Sequence, residues 1–329
     1  MGRTMNNLIR IVEQFKDKKI LVIGDVMLDK YIWGDVSRIS PEAPVQVVNV
    51  VKESYSPGGA ANVANNVAAL NAKSLMVGIV GNDITKDQLI QELKKKNIDV
   101  SGLINDENKG TIRKVRVFGR SQQLLRFDYE KKGYVSVETE NDIFDFVSGK
   151  LDEINAIIIS DYAKGAITKN LMEKIIMLCN EKNKIIVIDP KPKHKMFYKN
   201  ATLISPNHKE AHEMNDFTED SPTNADIENM GKKLLKELCS NILITKGEKG
   251  MSLFEKDGKI TNIPTFAKEV YDIIGAGDTS VATLTLALAS GANLEEAAII
   301  ANHAAGITVG KIGTSTVSLE ELKRSIENG

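Results

Sequence analysis

Residues 272–279 read DIIGAGDT, and this stretch decides how the rest of the chain is interpreted. An extended segment precedes it at 268–271 and an apolar helical pattern follows at 279–290, so its glycines lie where a loop becomes a helix. The first N–H groups of a helix have no partner within the helix, and small residues allow an anion to approach them. The stretch therefore predicts an anion site formed by Gly275, Ala276 and Gly277 beside the carboxylate of Asp278.

The position of Asp278 next to that site suggests a reaction. A hydroxyl held between the two could lose its proton to Asp278 while the N–H groups stabilise charge on a transferring phosphoryl group. The stretch thus suggests a kinase of small alcohols. In the alternative interpretation, Asp278 is an ordinary carboxylate of a first helical turn that satisfies free N–H groups.

Length and composition set the limits of the interpretation. A chain of 329 residues is long enough for one large α/β domain, and we assign residues 1–329 to a single domain. The net charge of −1 implies no general attraction to nucleic acid or to an anionic membrane. The first 15 residues lack the continuous apolar region of a signal peptide or a membrane span. With only Cys179 and Cys239 present, no disulfide framework or zinc site is expected, and a reducing cytoplasm fits.

A continuous apolar run at residues 19–24 is typical of a strand that is buried on both faces of a sheet. Asp25 and Asp29 follow at its carboxyl end, where the ligands of parallel sheets gather. Both are candidates for binding substrate hydroxyls, although either could instead cap a turn.

A second glycine-rich stretch, GGAANVA, occupies residues 58–64 and leads into a predicted helix at 62–70. Gly58 and Gly59 permit close backbone approach, and Asn62 offers an amide donor and acceptor to a polyol. A plain helix start would explain the glycines but not Asn62 in particular.

Two β-segments in a row, at residues 31–36 and 45–51, interrupt the βαβ rhythm. We assign them to a small β-sheet lid that projects from the main domain. A sheet over a pocket would exclude water, which a kinase needs so that its nucleotide is not hydrolysed. Further strands predicted at 111–118 and 123–128 complete the lid, whose segments are thus about 30–51 and 111–128.

From residue 74 onward, short segments rich in Ile and Val alternate with helical patterns. This alternation predicts an α/β fold with a mostly parallel central sheet flanked by helices. The predicted strands are 74–80, 156–160, 184–189, 202–205 and 241–245. The predicted helices are 85–96, 168–181, a short one from 207, 224–238 and 318–327.

Polar residues collect where these predicted strands end. Four such ends, together with the two glycine-rich stretches, indicate one shared edge for ligands. The candidates at this edge are Lys191, Asn207, Glu210, Thr245, Lys246 and Gly247.

On these motifs the chain resembles the ribokinase-like (PfkB) family of carbohydrate kinases, over essentially its full length. The two glycine-rich stretches match the two signatures of the family, and NHKE at 207–210 matches its Asn-x-x-Glu motif. The resemblance implies ATP as phosphoryl donor and Mg²⁺ held by Asn207 and Glu210 through water, and it leaves the use of a monovalent cation open. It implies that Asp278 is the catalytic base and that residues 275–277 form the anion hole. The implied sugar contacts are Asp29 and Asn62. The implied nucleotide contacts are Thr245, Gly247 and Asn302, with Gly313 and Thr314 beside the adenine.

Further stretches resemble one narrower group of this family, at 24–29, 38–44, 122–126, 160–165 and 189–191. These kinases act on D-glycero-D-manno-heptose 7-phosphate and form the 1,7-bisphosphate on the route to nucleotide-activated heptose for bacterial surface glycans. In some bacteria such a kinase is fused to a nucleotidyltransferase, which we do not expect here because the predicted helix 318–327 ends the chain. One departure is Ile274, where the family usually has Thr; nucleotide affinity or turnover could therefore be lower.

A distal phosphate on the substrate calls for basic residues in or near the lid. Arg38 and Lys114 of the lid and Lys191 on the ligand edge are candidates to bind it, although each could instead be a solvated charge. Strand alternation would place Lys114 and Arg116 on one face.

Other interpretations stay open. One is a kinase of fructose, ribose or a hexose phosphate with the same fold. Another is a sugar-binding regulator without catalysis, which the retention of Asp278, Asn207 and Glu210 disfavours. Because an unpaired lid sheet would leave edges and residues such as Val48 and Val50 open to solvent, we also expect a homodimer formed through the lid.

Overall fold

The computed structural model describes residues 2–120, 122–217, 223–267, 270–311, 313 and 315–329. Its strands are β1 (Lys19–Gly24), β2 (Val26–Ile39), β3 (Gln46–Gly59), β4 (Lys73–Val80), β5 (Asp99–Asn105), β6 (Ile112–Gly119), β7 (Gln122–Tyr129), β8 (Ala156–Ser160), β9 (Ile185–Asp189), β10 (Leu203–Ile204), β11 (Asn241–Thr245), β12 (Met251–Phe254) and β13 (Ile260–Ile263). Its helices are α1 (Gly2–Glu13), α2 (Ala60–Ala69), α3 (Ile84–Lys95), α4 (Val137–Lys150), α5 (Lys169–Glu181), α6 (His208–Met214), α7 (Asn224–Leu238), α8 (Ala276–Ala289), α9 (Leu294–Val309) and α10 (Leu319–Asn328).

The larger sheet has the strand order β13-β12-β11-β10-β9-β8-β1-β4-β5. Pairing is parallel from β5 across to β11, and β12 and β13 add an antiparallel edge. The mostly parallel central sheet expected from the sequence is therefore confirmed. Since parallel strands end on one side, the polar segments that follow β1, β8, β9, β10 and β11 meet along a single edge.

Burial on both faces explains the continuous apolar run of β1. Ile20 and Val22 pack in a core with α1, α2, α8 and α9, whereas Leu21 and Ile23 pack in a core with α4, α5 and α7. All four side chains are fully buried. Successive strand residues point to opposite faces, so helices on both sides leave no position for a polar residue until the strand ends at Gly24.

A smaller sheet with the order β3-β2-β6-β7 forms the lid. Its strands β2 and β3 are longer than the predicted segments 31–36 and 45–51, because they pair from Val26 with Gly59 to Ile39 with Gln46, with register shifts after Trp33 and after Val36. Only Asp25 separates β1 from β2, so the lid is a direct continuation of the central strand. β6 then pairs in parallel with β2, and this register sets Lys114 opposite Asp29.

Most other predicted elements agree with the structure within about two residues, and β8, β11 and α7 have the predicted bounds. The helix predicted at 62–70 begins earlier, at Ala60, because both glycines before it belong to β3. The sequence did not predict β5, β12 and β13, which are short or rich in polar residues, nor α1, α4 and α9. Two predictions, the extended residues 268 and 269 and the adenine-side position 314, lie outside the described residues. None of the described helices combines the length and the hydropathy needed to cross a membrane.

Candidate active site

Asp278 lies in the first turn of α8 and is buried. Its Oδ2 accepts a hydrogen bond from Nδ2 of Asn62 at 2.6 Å, and its Oδ1 accepts one from the hydroxyl of Tyr162 at 2.9 Å. Burial raises the pKa of Asp278 to about 6, although both hydrogen bonds act in the opposite direction. A carboxylate with this pKa is ionised at neutral pH and is a better proton acceptor than an exposed one.

The loop before Asp278 needs glycine for geometric reasons. Gly275 caps α8 with a φ of 83°, a backbone conformation that residues with a side chain rarely adopt. A Cβ on Gly277 would meet no heavy atom within 4 Å, so the N-terminus of α8 is open to a ligand. Asp272 orders this loop by accepting hydrogen bonds from the N–H groups of Ile274 at 3.0 Å and Gly313 at 3.1 Å. The exposed side chain of Ile274 takes no part in that ordering.

A cavity of about 180 Å³, which we call the acceptor cavity, lies in front of Asp278 at the carboxyl ends of β9, β10 and β11. Tyr162 forms one wall, with the Nζ atoms of Lys191 and Lys114 at 5.4 and 6.0 Å from the centre of its ring. Sequence reasoning did not select Tyr162 or the neighbouring Asp189 as site residues. The signal was present, because both follow strands whose polar ends had been recognised.

The lid side of the site contains the predicted sugar contacts. Asp29 is buried, forms a 2.7 Å ion pair with Arg116, and its negative charge adds to the raised pKa of Asp278. A Cβ on Gly58 would lie 2.6 Å from Oδ2 of Asp29, so a side chain at this position would displace the carboxylate. Oδ1 of Asn62 is buried and has no hydrogen-bond partner among the described residues, which leaves an acceptor for a substrate hydroxyl.

Lys114 lies on the same face of the lid as Asp29 and Arg116, as strand alternation predicted. Within the described part of the chain, no hydrogen bond or ion pair holds its ammonium group, which lies above the ring of Tyr162. Burial lowers the pKa of Lys114, and the negative charges of Asp29 and Asp128 act against that shift. The group is thus a partly desolvated cation near the acceptor cavity.

A second cavity of about 340 Å³, the nucleotide-side cavity, adjoins the first and is largely apolar. Of the predicted nucleotide contacts, Thr245, Gly247 and Asn302 line it. Asn302 is oriented by a 2.6 Å hydrogen bond from its amide to the carbonyl of Pro264. The residues that line both cavities, among those described, are Thr245, Gly277 and Ser280.

Lys191, Glu210 and Asn207 form a connected group at the wall of the acceptor cavity. Nζ of Lys191 lies 2.5 Å from Oε1 of Glu210, while Oε2 of Glu210 accepts a hydrogen bond from the N–H of Asn207 at 3.1 Å. The side chain of Asn207 caps α6. Burial, and then the charges of Glu210 and Asp278, raise the pKa of Asp189 well above its ordinary value.

Four predicted site residues lie elsewhere or act differently. Both carboxylate oxygens of Asp25 accept backbone hydrogen bonds, from the N–H groups of residues 162, 164 and 166 at 2.9–3.0 Å, so this residue organises a loop as in the capping alternative. Arg38 is exposed, nine residues beyond Asp29 along β2 and therefore roughly 30 Å from it. The amine of Lys246 lies 3.4 Å from Oδ1 of Asn262, beside a separate surface cavity. Gly313 supports the loop through Asp272 and does not line the nucleotide-side cavity.

Residues 17–322 match the sequence profile of the pfkB family of carbohydrate kinases. The chain belongs to that family. Membership makes this pfkB protein a sugar kinase and implies that it uses ATP. The alternative of a sugar-binding regulator without catalysis is therefore set aside.

Curated relatives of this pfkB kinase include two bifunctional proteins HldE. The one from Geobacter sulfurreducens is 41% identical over 307 residues, and the one from Helicobacter pylori strain HPAG1 is 43% identical over 307 residues. Each alignment covers 93% of this chain. The chain spans only 62% and 65% of the length of these two relatives.

Solved structures of pfkB-type kinases share the fold. Ribokinase from Thermotoga maritima aligns with a TM-score of 0.72 and 24% identity, over 94% of this chain and 100% of its own. Phosphofructokinase-2 from Escherichia coli, in complex with potassium, aligns with a TM-score of 0.77 and 18% identity, over 94% of this chain and 99% of its own. The ribokinase-like α/β fold with its small additional sheet is thereby confirmed.

The cavity wall of this pfkB kinase suits a hydrated divalent cation. Among the described residues, no three or more His, Cys, Asp or Glu side chains are arranged to hold a metal directly. The carboxylates of Asp189, Glu210 and Asp278 nevertheless face one small cavity, and their mutual repulsion is part of what raises the pKa of Asp189. Hard oxygen donors around excess negative charge are what Mg²⁺ prefers, and this ion usually keeps several of its waters.

Proposed function

We propose that this kinase transfers the γ-phosphoryl group of ATP to the anomeric hydroxyl of D-glycero-D-manno-heptose 7-phosphate. The product would be the 1,7-bisphosphate, on the route to nucleotide-activated heptose for bacterial surface glycans, and the reaction would take place in the cytoplasm. The observation that carries the phosphotransfer is the position of Asp278, which is buried at the wall of the acceptor cavity and follows Gly277, a residue that lines both cavities. The motifs shared with heptose phosphate kinases, and the 41–43% identity to HldE proteins, support the choice of substrate.

In the proposed reaction the acceptor hydroxyl lies between Asp278 and the γ-phosphorus. Asp278, ionised above its pKa of about 6, takes the hydroxyl proton as the acceptor oxygen bonds to phosphorus. The bond from the γ-phosphorus to its bridging oxygen then breaks, and ADP leaves. The N–H groups of Gly275 and Gly277 at the start of α8 would stabilise the charge on the phosphoryl oxygens, whereas that of Ala276 donates to the carbonyl of Ile273 at 3.4 Å.

Mg²⁺ and the nucleotide would bind at the wall of the acceptor cavity and in the adjoining nucleotide-side cavity. When bound, Mg²⁺ would neutralise charge on the nucleotide phosphates, with Asn207 and Glu210 as its holders through water. The apolar nucleotide-side cavity has the character of a purine pocket, with Thr245, Gly247 and Asn302 in its wall.

The distal phosphate of the substrate would lie at the lid. Lys114 supports this placement because its ammonium group is partly desolvated and has no hydrogen-bonded or ion-paired partner in the described chain. The group lies above the ring of Tyr162, whose hydroxyl bonds to Asp278. A phosphate oxygen would supply that partner. Arg116 carries a second positive charge on the same face and forms an ion pair with Asp29.

The test is ADP release across a substrate panel of heptose 7-phosphate, fructose 6-phosphate, fructose and ribose. We expect kcat/KM for heptose 7-phosphate to exceed that for each of the other three by at least about 100-fold, the scale of a lost charge-assisted contact to the phosphate or of misplaced hydroxyls. A preference for fructose or ribose would leave the sugar kinase assignment in place and would contradict the assignment of a phosphosugar as the substrate.

A further inference from the structure

Ser280 lies at the passage between the acceptor cavity and the nucleotide-side cavity. It is two residues beyond Asp278 in α8, and it shares the lining of both cavities with Thr245 and Gly277. A group that must reach from one cavity into the other passes these three residues. In a kinase that group is the end of the nucleotide triphosphate, so the passage is where the transferring phosphoryl group would lie.

The hydroxyl of Ser280 has no hydrogen-bond partner among the described residues, and it differs from Thr283 and Ser290, whose hydroxyls also lack one there, because only Ser280 of the three lines the cavities. The residue is only 2% exposed. Helical serine and threonine hydroxyls commonly bond to the carbonyl four residues earlier, as Thr285 does to Val281 at 2.8 Å. The adjacent Thr279 is also satisfied, by Oδ1 of Asn66 at 2.7 Å. A buried hydroxyl without a partner is unfavourable, so its presence at a cavity wall points to a ligand that completes it.

The start of α8 indicates that this ligand is an anion. The N-terminus of α8 directs free N–H groups to the same place, and the space beside Gly277 is open. On the acceptor side Lys191 is ion-paired with Glu210, and bound Mg²⁺ would offset the remaining negative charge of the cavity wall.

We propose that the hydroxyl of Ser280 donates a hydrogen bond to a non-bridging oxygen of the γ-phosphoryl group, which makes Ser280 a further catalytic residue. No bond to Ser280 forms or breaks, since the hydroxyl only donates to an oxygen whose charge is redistributed during transfer. The proposal rests on phosphotransfer from ATP, which family membership implies, and is independent of which sugar accepts the group.

The test compares two nucleotides by isothermal titration calorimetry with Mg²⁺. AMP-PNP carries a third phosphate group and ADP lacks it. We expect Ser280→Ala to weaken AMP-PNP binding about 10- to 100-fold, the range for losing one hydrogen bond to a charged group, and to change ADP binding less than about twofold. Ser280→Cys keeps the shape but is a weak donor and should behave in the same way, which protects the test against a folding defect of one variant.

The matched control is Ser290→Ala. Ser290 follows the last turn of the same helix, is also buried, and its Oγ also has no partner among the described residues, but it lines neither cavity. This control should bind both nucleotides like the wild type. The proposal is overturned if Ser280→Ala and Ser280→Cys bind AMP-PNP within about twofold of the wild type, or if they lose affinity for ADP to the same extent. A wild type that binds AMP-PNP but fails to phosphorylate heptose 7-phosphate would contradict only the choice of sugar.

Discussion

The hydroxyl of Tyr162 donates a 2.9 Å hydrogen bond to Oδ1 of Asp278, and thereby joins the loop after β8 to the first turn of α8. This contact stabilises the ionised form of Asp278 and lowers its pKa, against the larger effect of burial. Together with burial and the hydrogen bond from Asn62, the tyrosine therefore contributes to the pH range in which the carboxylate can act as a base.

Tyr162→Phe should shift the acid limb of the pH profile. The carboxylate loses a hydrogen bond that favours its charged form, so its pKa rises from about 6 and a higher pH is needed to ionise it. We expect the acid limb of kcat/KM to move upward, with activity recovering at alkaline pH. Tyr134→Phe is the control, because that hydroxyl bonds to His194 at 2.8 Å and not to Asp278. An unchanged acid limb in Tyr162→Phe would show that the tyrosine does not influence the pKa of the base.

Wild-type activity should fall below about pH 6. Asp278 is ionised above its pKa of about 6 and protonated below it, and only the ionised form accepts a proton. In the pH dependence of kcat/KM, which reports the free enzyme, we expect roughly a tenfold loss per pH unit on the acid side. A profile that stays flat down to pH 4.5 would contradict the assignment of Asp278 as base.

Asp278→Asn should retain the fold and nucleotide binding but lose about 10²- to 10⁴-fold in kcat, the usual contribution of a general base. The amide can keep one acceptor for Tyr162, and its new N–H group can donate to the unpaired Oδ1 of Asn62 after that side chain rotates. Asp87→Asn, in the exposed first turn of α3, is the surface control. Turnover of Asp278→Asn within a few-fold of the wild type would remove the carboxylate from the catalytic role.

Lys114→Ala should raise KM for heptose 7-phosphate about 10- to 100-fold, since one charge-assisted contact to phosphate is lost. KM for ATP should change little, because Lys114 belongs to the lid and lines neither cavity. Lys132→Ala, an exposed lysine just after β7, provides the charge control. An equal rise in KM for phosphorylated and unphosphorylated sugars would show that Lys114 does not bind the distal phosphate.

The lid is expected to pair with a second copy of the chain. Its strands expose a group of apolar side chains, namely Ile39, Val50, Val51, Leu125 and Phe127, which are 36–72% exposed. Contact with another lid would cover them. Light scattering at micromolar concentration should give the mass of a dimer, and Val50→Glu should shift it toward the monomer. Met177→Glu, an equally exposed apolar site on α5, should leave the mass unchanged. A strictly monomeric wild type would refute the dimer.

Local sequence signals were sufficient for the elements that carry Asp278. The change from a glycine-rich loop to a helical period depends on nearby residues alone, so Gly275, Gly277 and Asp278 could be located without the fold. The same holds for Asn207 and Glu210, whose capping box is a pattern of four residues.

Long-range contacts decided what the sequence left open. Asp25 and Asp29 follow the same strand, yet one caps the loop after β8 and the other pairs with Arg116, 87 residues away. Tyr162 meets Asp278 across 116 residues, which no local pattern can reveal. Arg38 was expected near the substrate because it belongs to a lid segment, but it lies near the far end of β2, whose length carries it away from Asp29. The distance along the strand, and not membership of the lid, determines which basic residues reach the site.

The position of the new phosphate in the product tests the account most directly. The enzyme, Mg²⁺, ATP and heptose 7-phosphate would be combined, and the product examined by phosphorus NMR. We predict a second sugar-phosphate signal that is coupled to the anomeric proton, as in the 1,7-bisphosphate. A new phosphate on any other carbon, or ADP formation without a phosphorylated heptose product, would contradict the proposed function.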